Sequence, residues 1–227
     1  MQPHGVPKAL RTDTVIVMSD HRLQRAWQVL RREGLRSFWF KFLGVLGYRR
    51  LFLLSRSLTE PIPAVSASLP LTMNWLTPAE LTEYLAFRSA TGAEQIADRL
   101  KRNQRCLVAR AQGRWVGAMW ADTQRAWIEY LERELPLAPG EVYLFDAYTN
   151  PAFRGQAIAP AMSAELLRRF RDEGCPRALR GTLPENLAAL RAHAKAGFQT
   201  YALMGRIKIG PWRHDFLTVR ASRAQIT

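Results

Sequence analysis

The stretch that most constrains this chain is an apolar run, Val142-Tyr143-Leu144-Phe145-Asp146-Ala147-Tyr148-Thr149, followed at once by Asn150-Pro151-Ala152-Phe153-Arg154-Gly155-Gln156-Ala157-Ile158-Ala159-Pro160. The run has the length and composition of a buried strand. Ile158, Met162, Leu166 and Phe170 then recur at helical spacing, so a helix with one apolar face follows. A strand that passes through a tight turn into a helix leaves the helix's first backbone N–H groups unpaired, at the positive end of its dipole. The residues there, Gly155, Ala157 and Ala159 among them, are small enough to let an anion reach the backbone, and the arrangement suits a pyrophosphate.

The elements around this unit alternate in kind. Leu71 to Leu76 reads as a short strand, and Thr77-Pro78-Ala79-Glu80 as a capping box with Pro at the first helical position, opening a helix to about Ala90. Gly92 separates it from a second helix, with Ile96 and Leu100 inward. Arg105 to Ala111 and Arg114 to Ala121 read as strands joined by a hairpin turn at Gln112-Gly113. Residues 123–140 have helical spacing at Ala126, Trp127, Tyr130 and Leu131 but end in a Pro-rich loop, and are expected to form an insertion bordering the cleft. After the helix, Gly174 supplies a left-handed stop; then come a strand from Arg177 to Leu183 and a helix from Asn186 to Ala196, ended by Gly197. Phe198 to Ile209 and Phe216 to Arg220 complete a hairpin about Gly210-Pro211. No internal repeat is visible.

The N-terminal part differs. Residues 1–20 have no sustained period and read as a loose arm, while Asp20 caps a helix with Leu23, Ala26, Trp27 and Leu30 on one face and Arg22, Arg25, Arg32 and Arg36 on the other. An aromatic run, Phe38 to Leu46, follows, too short and too closely flanked by charge to span a bilayer. From His21 to Arg56 nine basic residues face the single acid Glu33, so this segment supplies +8 of the formal net charge of +14. Such a helix can dock an acidic partner or lie on an anionic membrane surface; equally, its aromatic face can pack on the protein and leave the arginines solvated. Leu51-Phe52-Leu53-Leu54 has strand character, and Pro61, Pro63 and Pro70 punctuate a linker. The expected division is an arm, basic helix and linker over 1–70 and a catalytic-type domain over 71–227.

Composition narrows the classes. At 227 residues and 48% hydrophobic, the chain can bury a full core, which argues against disorder. Most of its positive charge is arginine, and no zinc-finger spacing, RNA-recognition signature or basic-zipper pattern accompanies it, so a nucleic-acid partner is not expected. Cys106 and Cys175 stand far apart without ligand-spaced histidines, so neither a disulfide framework nor a metal site is expected. With no signal-peptide pattern, the expected location is cytoplasmic, peripheral to a membrane if the basic helix engages one.

Two motifs in register carry a family resemblance. The turn Arg154-Gly155-Gln156-Ala157-Ile158-Ala159 resembles the pyrophosphate signature of the GNAT N-acetyltransferase superfamily, with Ala157 departing from the usual Gly. Downstream, Asn186-Leu187-Ala188-Ala189-Leu190-Arg191-Ala192-His193-Ala194-Lys195-Ala196-Gly197-Phe198 resembles a second family motif at its Asn, its central Ala, its His and its closing Gly-Phe. The order of elements from Leu71 onward is also that of the family. The resemblance implies an α/β fold of the α+β type, with a mixed central sheet flanked by helices, here carrying the basic helical extension.

It also implies a chemistry. Acetyl-CoA would serve as cosubstrate, without metal, and the acceptor would be a primary amine of a small molecule or an amino sugar. The pyrophosphate would lie against Arg154, Gly155, Gln156, Ala157, Ile158 and Ala159. Backbone groups of Ala147, Tyr148 and Thr149, where the family's strand splays from its neighbour, would meet the pantetheine and the thioester. His193 occupies the position from which a Tyr or His can protonate the coenzyme's sulfur. Asn186 is either a cofactor-side ligand or the helix N-cap. Asp146, Glu129, Glu132 and Glu134 remain candidates for a general base, Asp146 equally for a structural carboxylate bonded to an arginine. Two alternatives stay open: transfer of a longer acyl group from an acyl-carrier protein, whose acidic surface the basic helix would suit, and a non-catalytic binding module on the same fold.

Overall fold

A computed structural model describes residues 47–219. The N-terminal arm, the basic helix and the aromatic run lie outside the described residues, as does the end of the chain from 220. Ten strands and four α-helices follow in the order β1 (Tyr48–Ser57), β2 (Thr72–Trp75), α1 (Leu81–Phe87), α2 (Ala93–Lys101), β3 (Arg105–Ala111), β4 (Arg114–Asp122), β5 (Ala126–Ile128), β6 (Arg133–Leu135), β7 (Glu141–Thr149), α3 (Ile158–Asp172), β8 (Arg177–Thr182), α4 (Leu187–Lys195), β9 (Gln199–Ile209) and β10 (Trp212–Val219). Eight strands form one sheet in the order β10-β9-β1-β8-β7-β4-β3-β2, and β5 and β6 form a separate ribbon. All neighbours in the large sheet are antiparallel except β7 and β8, which run parallel. The result is the expected mixed sheet flanked by helices.

The place of β1 is not the expected one. It lies inside the sheet, paired with β8 along Phe52–Ser57 and with β9 along Tyr48–Ser55. Its apolar run is buried on both faces. Leu51 and Leu53 join one hydrophobic cluster with Tyr143, Leu179 and Met204, while Leu54 and Leu58 join the opposite one with α3. A strand covered on both sides reads as a continuous apolar stretch rather than an alternating one, which is why Leu51–Leu54 looks like a strand without revealing its neighbours. The Pro-rich segment after it is therefore a strap within the same sheet-based unit. Ile62, Ala67, Leu69 and Leu71 pack on the core, and the Ser68 N–H donates to the Gln156 carbonyl at 3.0 Å.

Arg56 at the end of β1 explains a glycine. Its guanidinium donates to the Ala196 carbonyl at 2.5 Å, capping the C-terminus of α4, and to the Pro61 carbonyl at 2.6 Å. A Cβ on Gly197 would sit 1.5 Å from Arg56 Nη1, so a side chain there would displace that cap, at a backbone position (φ 80°) that favours glycine.

Residues 123–140 form the insertion expected there. Their helical spacing yields the β5–β6 ribbon joined by a 3-10 turn at Glu129–Leu131, because Ala126, Ile128, Leu131 and Leu135 fold inward against Tyr143 and Leu179. No helix among the described residues is long and apolar enough to cross a membrane.

Candidate active site

The turn after β7 is built from local chemistry. Asn150 starts a 3-10 turn over Pro151–Phe153 and accepts the Ala152 N–H on Oδ1 at 3.1 Å. The backbone then enters the left-handed region twice, at Gly155 (φ 84°) and Ala157 (φ 56°), before α3 begins at Ile158. The backbone N–H groups of Gly155, Gln156, Ala157, Ile158 and Ala159 find no acceptor among the described residues. They gather at the N-terminus of a helix of 15 residues, where the dipole favours an anion. Arg154 and Gly155 are exposed, and a Cβ on Gly155 would meet nothing within 4 Å. All six residues assigned to a pyrophosphate from sequence thus surround one open turn.

Ala157 departs from the glycine pattern at a conformational cost as well as in bulk. A left-handed alanine costs about 1 kcal/mol that glycine avoids. Ala157→Gly is expected to raise the unfolding free energy by about 0.5–1 kcal/mol in urea denaturation, the gain in backbone fit exceeding the entropy of the added glycine.

The strand leading to this turn parts from its neighbour. Pairing of β7 with β8 runs from Glu141↔Arg177 to Leu144↔Arg180 and stops there. On its other edge β7 stays paired with β4, through Ala118↔Tyr148 and Gly117↔Thr149, interrupted by a bulge at Asp146 and Ala147. Beyond Leu144, then, the edge of β7 that carries Ala147, Tyr148 and Thr149 faces β8 without ladder bonds. On the face of the sheet away from α3, the parting opens into a cavity of about 500 Å³, lined by Leu144, Phe145 and Asp146 of β7, Gly181 and Thr182 of β8, and Leu183 just after it. The β5–β6 ribbon borders it with Trp127, Ile128, Glu129 and Tyr130.

Asp146 takes the structural alternative. The bulge puts it at φ 45°, and each carboxylate oxygen is held, Oδ1 by Arg88 Nη2 at 2.8 Å and Oδ2 by Arg99 Nη1 at 2.5 Å. Arg88 also lies over the Tyr148 ring at 4.3 Å, and Arg99 over Trp120 at 5.0 Å. Both carboxylate oxygens are thus taken up by arginines. Of the three insertion glutamates, Glu129 lines the cavity and pairs with Arg99 and Gln95, whereas Glu132 pairs with Arg49 and Arg206 and Glu134 pairs with Arg125. Arg88 and Arg99 could not be found from sequence, since each meets Asp146 across 58 and 47 residues of chain.

On the α3 side of the parting stands His193. Its Nδ1 lies 3.0 Å from Nη1 of Arg180, the residue at the last β7–β8 pair. A guanidinium only donates, so Nδ1 accepts and the neutral ring carries its proton on Nε2. Burial, reinforced by Arg180, pushes the imidazole down to about 3, and the ring is neutral throughout the physiological range. It therefore has an N–H to offer a sulfur but no imidazolium proton, which narrows the role drawn from the resemblance. Asn186 caps α4, its Oδ1 accepting the Ala189 N–H at 3.0 Å.

An open turn at a helix N-terminus, a parted parallel strand pair and a cavity at the parting thus lie together. The chain belongs to the acetyltransferase (GNAT) family, whose family model matches residues 70–198. Two solved structures agree in fold. A GNAT-family protein from Novosphingobium aromaticivorans superposes with a TM-score of 0.50 at 16% identity, over 76% of this chain and 66% of that one, just short of two thirds of its length. A GCN5-related glucosamine N-acetyltransferase region of a fungal multi-domain GH3 β-N-acetylglucosaminidase gives 0.52 at 15% identity, over 73% of this chain and 22% of that one. The aminoglycoside acetyltransferase AAC(6')-Iy, in complex with a CoA bisubstrate analogue, gives 0.47 at 19% identity, over 57% and 91%. No curated protein matches the chain.

Proposed function

We propose that the protein transfers an acetyl group from acetyl-CoA to a primary amine of a small molecule, with amino sugars the first acceptors to test. The observation that carries this reading is the parting of β7 and β8 between the anion cradle on the α3 side and the cavity on the other. A thioester threaded through that gap would meet an amine held in the cavity, in line for attack. The amine nitrogen would bond to the carbonyl carbon as the carbon–sulfur bond breaks, the sulfur would leave as a thiolate that accepts a hydrogen bond from Nε2–H of His193, and the proton shed by the acylated nitrogen would pass to solvent. Backbone groups on the free edge of β7 at Ala147, Tyr148 and Thr149 would hold the pantetheine and the carbonyl oxygen. The pyrophosphate would sit on the N–H groups from Gly155 to Ala159, beside Arg154.

The cavity bears on the acceptor. Its charged lining is Arg88, Arg99, Asp146 and Glu129, two of each sign, so it offers no acidic trap for a polycation and favours a neutral or singly charged amine. The likeness to a glucosamine N-acetyltransferase region is one of fold and makes glucosamine a first candidate, nothing more.

The test joins binding to turnover. Gly155→Val puts a branched side chain at a left-handed position facing the cradle, and acetyl-CoA affinity by calorimetry is expected to weaken at least about tenfold, or 1.4 kcal/mol. Unchanged affinity would remove the cradle assignment. A screen of amine metabolites with acetyl-CoA and longer acyl thioesters, read by release of free thiol, would identify the acceptor, and a preference for long chains would overturn the acetyl reading.

A further inference from the structure

Arg180 ends the buried run Ala178-Leu179-Arg180 of β8, where a charge is costly unless something uses it. It is 5% exposed and has no carboxylate partner among the described residues. Its contacts are the His193 ring at 3.0 Å, Ser163 Oγ at 3.4 Å, Met119 Sδ at 3.6 Å and the face of Phe198 at 5.1 Å. Burial pushes its own pKa down to about 10, which leaves it charged at neutral pH. A hydrophobic residue would pack this site at lower cost, so the observation to account for is a retained cation whose best hydrogen bond goes to an imidazole nitrogen.

We infer that Arg180 is a positioning residue that locks His193 as the neutral tautomer with its proton on Nε2, aimed to donate to a departing sulfur. The inference rests on the proposed acetyl transfer for its purpose, though not for its geometry. An imidazole free to choose would divide its proton between the two nitrogens and would charge near pH 6.5. With Nδ1 occupied by a guanidinium donor, the proton has one place to go, and a second positive charge on the ring would face the first at hydrogen-bond distance. Arg180 from β8 is the charged group facing the ring. Ser163 of α3 reaches it only through Arg180, Phe198 packs edge-on at 6.1 Å, and Arg191 and Lys195 on α4 itself are exposed. Thiolate formation at that spot gains twice, from the Nε2 hydrogen bond and from a fixed positive charge behind the ring. The device also frees sulfur departure from pH, because the donating form of His193 is the neutral one.

The tautomer can be read without cofactor or acceptor. In the full chain with 15N-labelled histidine, His193 is assigned by comparison with His193→Gln. In the wild type it is expected to show Nδ1 unprotonated, Nε2 protonated and no titration between about pH 5 and 8. Arg180→Met is expected to give a mixture of tautomers and a ring that titrates at least about one unit higher, while Arg180→Lys, which still donates, retains most of the Nε2–H form. Should the Met variant not fold, the wild-type spectrum and the Lys variant still decide. In turnover, Arg180→Met is expected to lower kcat about tenfold or more with acetyl-CoA affinity changed less than about twofold, and Lys to recover part of that loss. A wild-type ring protonated on Nδ1 or titrating near pH 6.5 would overturn the inference, as would an unchanged tautomer in Arg180→Met. Because the spectra need no substrate, failure of the acetyl-transfer reading would leave a locked tautomer in place, and failure of the lock would leave acetyl transfer untouched.

Discussion

A chain that starts at residue 59 is expected not to fold. Its missing part includes β1, which contributes Leu51, Leu53, Leu54 and, just beyond its end, Leu58 to the two cores flanking the sheet, each no more than 4% exposed. At roughly 1.5–3 kcal/mol for each fully buried side chain, the four leucines account for about 6–12 kcal/mol, comparable to the roughly 5–15 kcal/mol by which a domain is stable at all. Their loss is compounded by the strand pairing itself. Both β8 and β9 would lose a neighbour and expose unpaired backbone edges in the middle of the sheet, and α4 would lose the Arg56 cap at its C-terminus. The measurement is a thermal melt of residues 59–227 followed by near-ultraviolet circular dichroism, with aggregation and no cooperative transition expected. A point change makes the same case with the chain otherwise intact: Leu53→Asp places a carboxylate at a 1% exposed site and is expected to abolish the cooperative melt. A soluble, cooperatively melting fragment that binds acetyl-CoA would show β1 to be dispensable.

The second large effect concerns His193. If it donates to the departing sulfur, His193→Ala is expected to reduce kcat on the order of a hundredfold while acetyl-CoA affinity stays within about threefold, since the interaction strengthens only as the sulfur gains charge. The reduction should be equal at pH 6 and pH 8, because the wild-type ring, pushed down to about 3, is neutral at both. Stability supplies an independent readout. A histidine held neutral in the fold and free to charge near its ordinary 6.5 when unfolded contributes stability that is complete above about pH 6.5 and is lost as pH falls toward 3, since the unfolded chain then binds the extra proton. The melting temperature of the wild type should therefore drop between about pH 6.5 and 4 more steeply than that of His193→Ala. Wild-type turnover in the variant on the true acceptor would assign His193 to structure alone.

Much of the candidate site's local geometry was legible because its parts are local. A turn that must go left-handed, a helix whose first N–H groups lack acceptors and an Asn placed to cap α4 are all decided by residues within a few positions of one another, so the turn at Arg154–Ala159 and the cap at Asn186 could be read from spacing and turn chemistry. Element order followed for the same reason, with hydrophobic period separating strands from helices along most of residues 71–219. At residues 123–140, read as an insertion, the helical spacing yields a ribbon because inward packing of Ala126, Ile128, Leu131 and Leu135 outweighs local preference.

What tertiary structure alone decided is every relation between distant segments. The apolar run Leu51–Leu54 states that it is buried but not between which strands, because pairing partners are chosen by the whole sheet. Asp146 meets Arg88 and Arg99, and Arg180 meets His193, only once a bulge, two helices and a parted strand pair have brought them within hydrogen-bond reach. Asp146 inside Val142–Thr149 and Arg180 beside Ala178 and Leu179 were local signs that a buried strand held something else. A charge in such a run announces that a partner exists, but naming that partner takes the geometry, since burial makes the charge costly and only contact makes it useful.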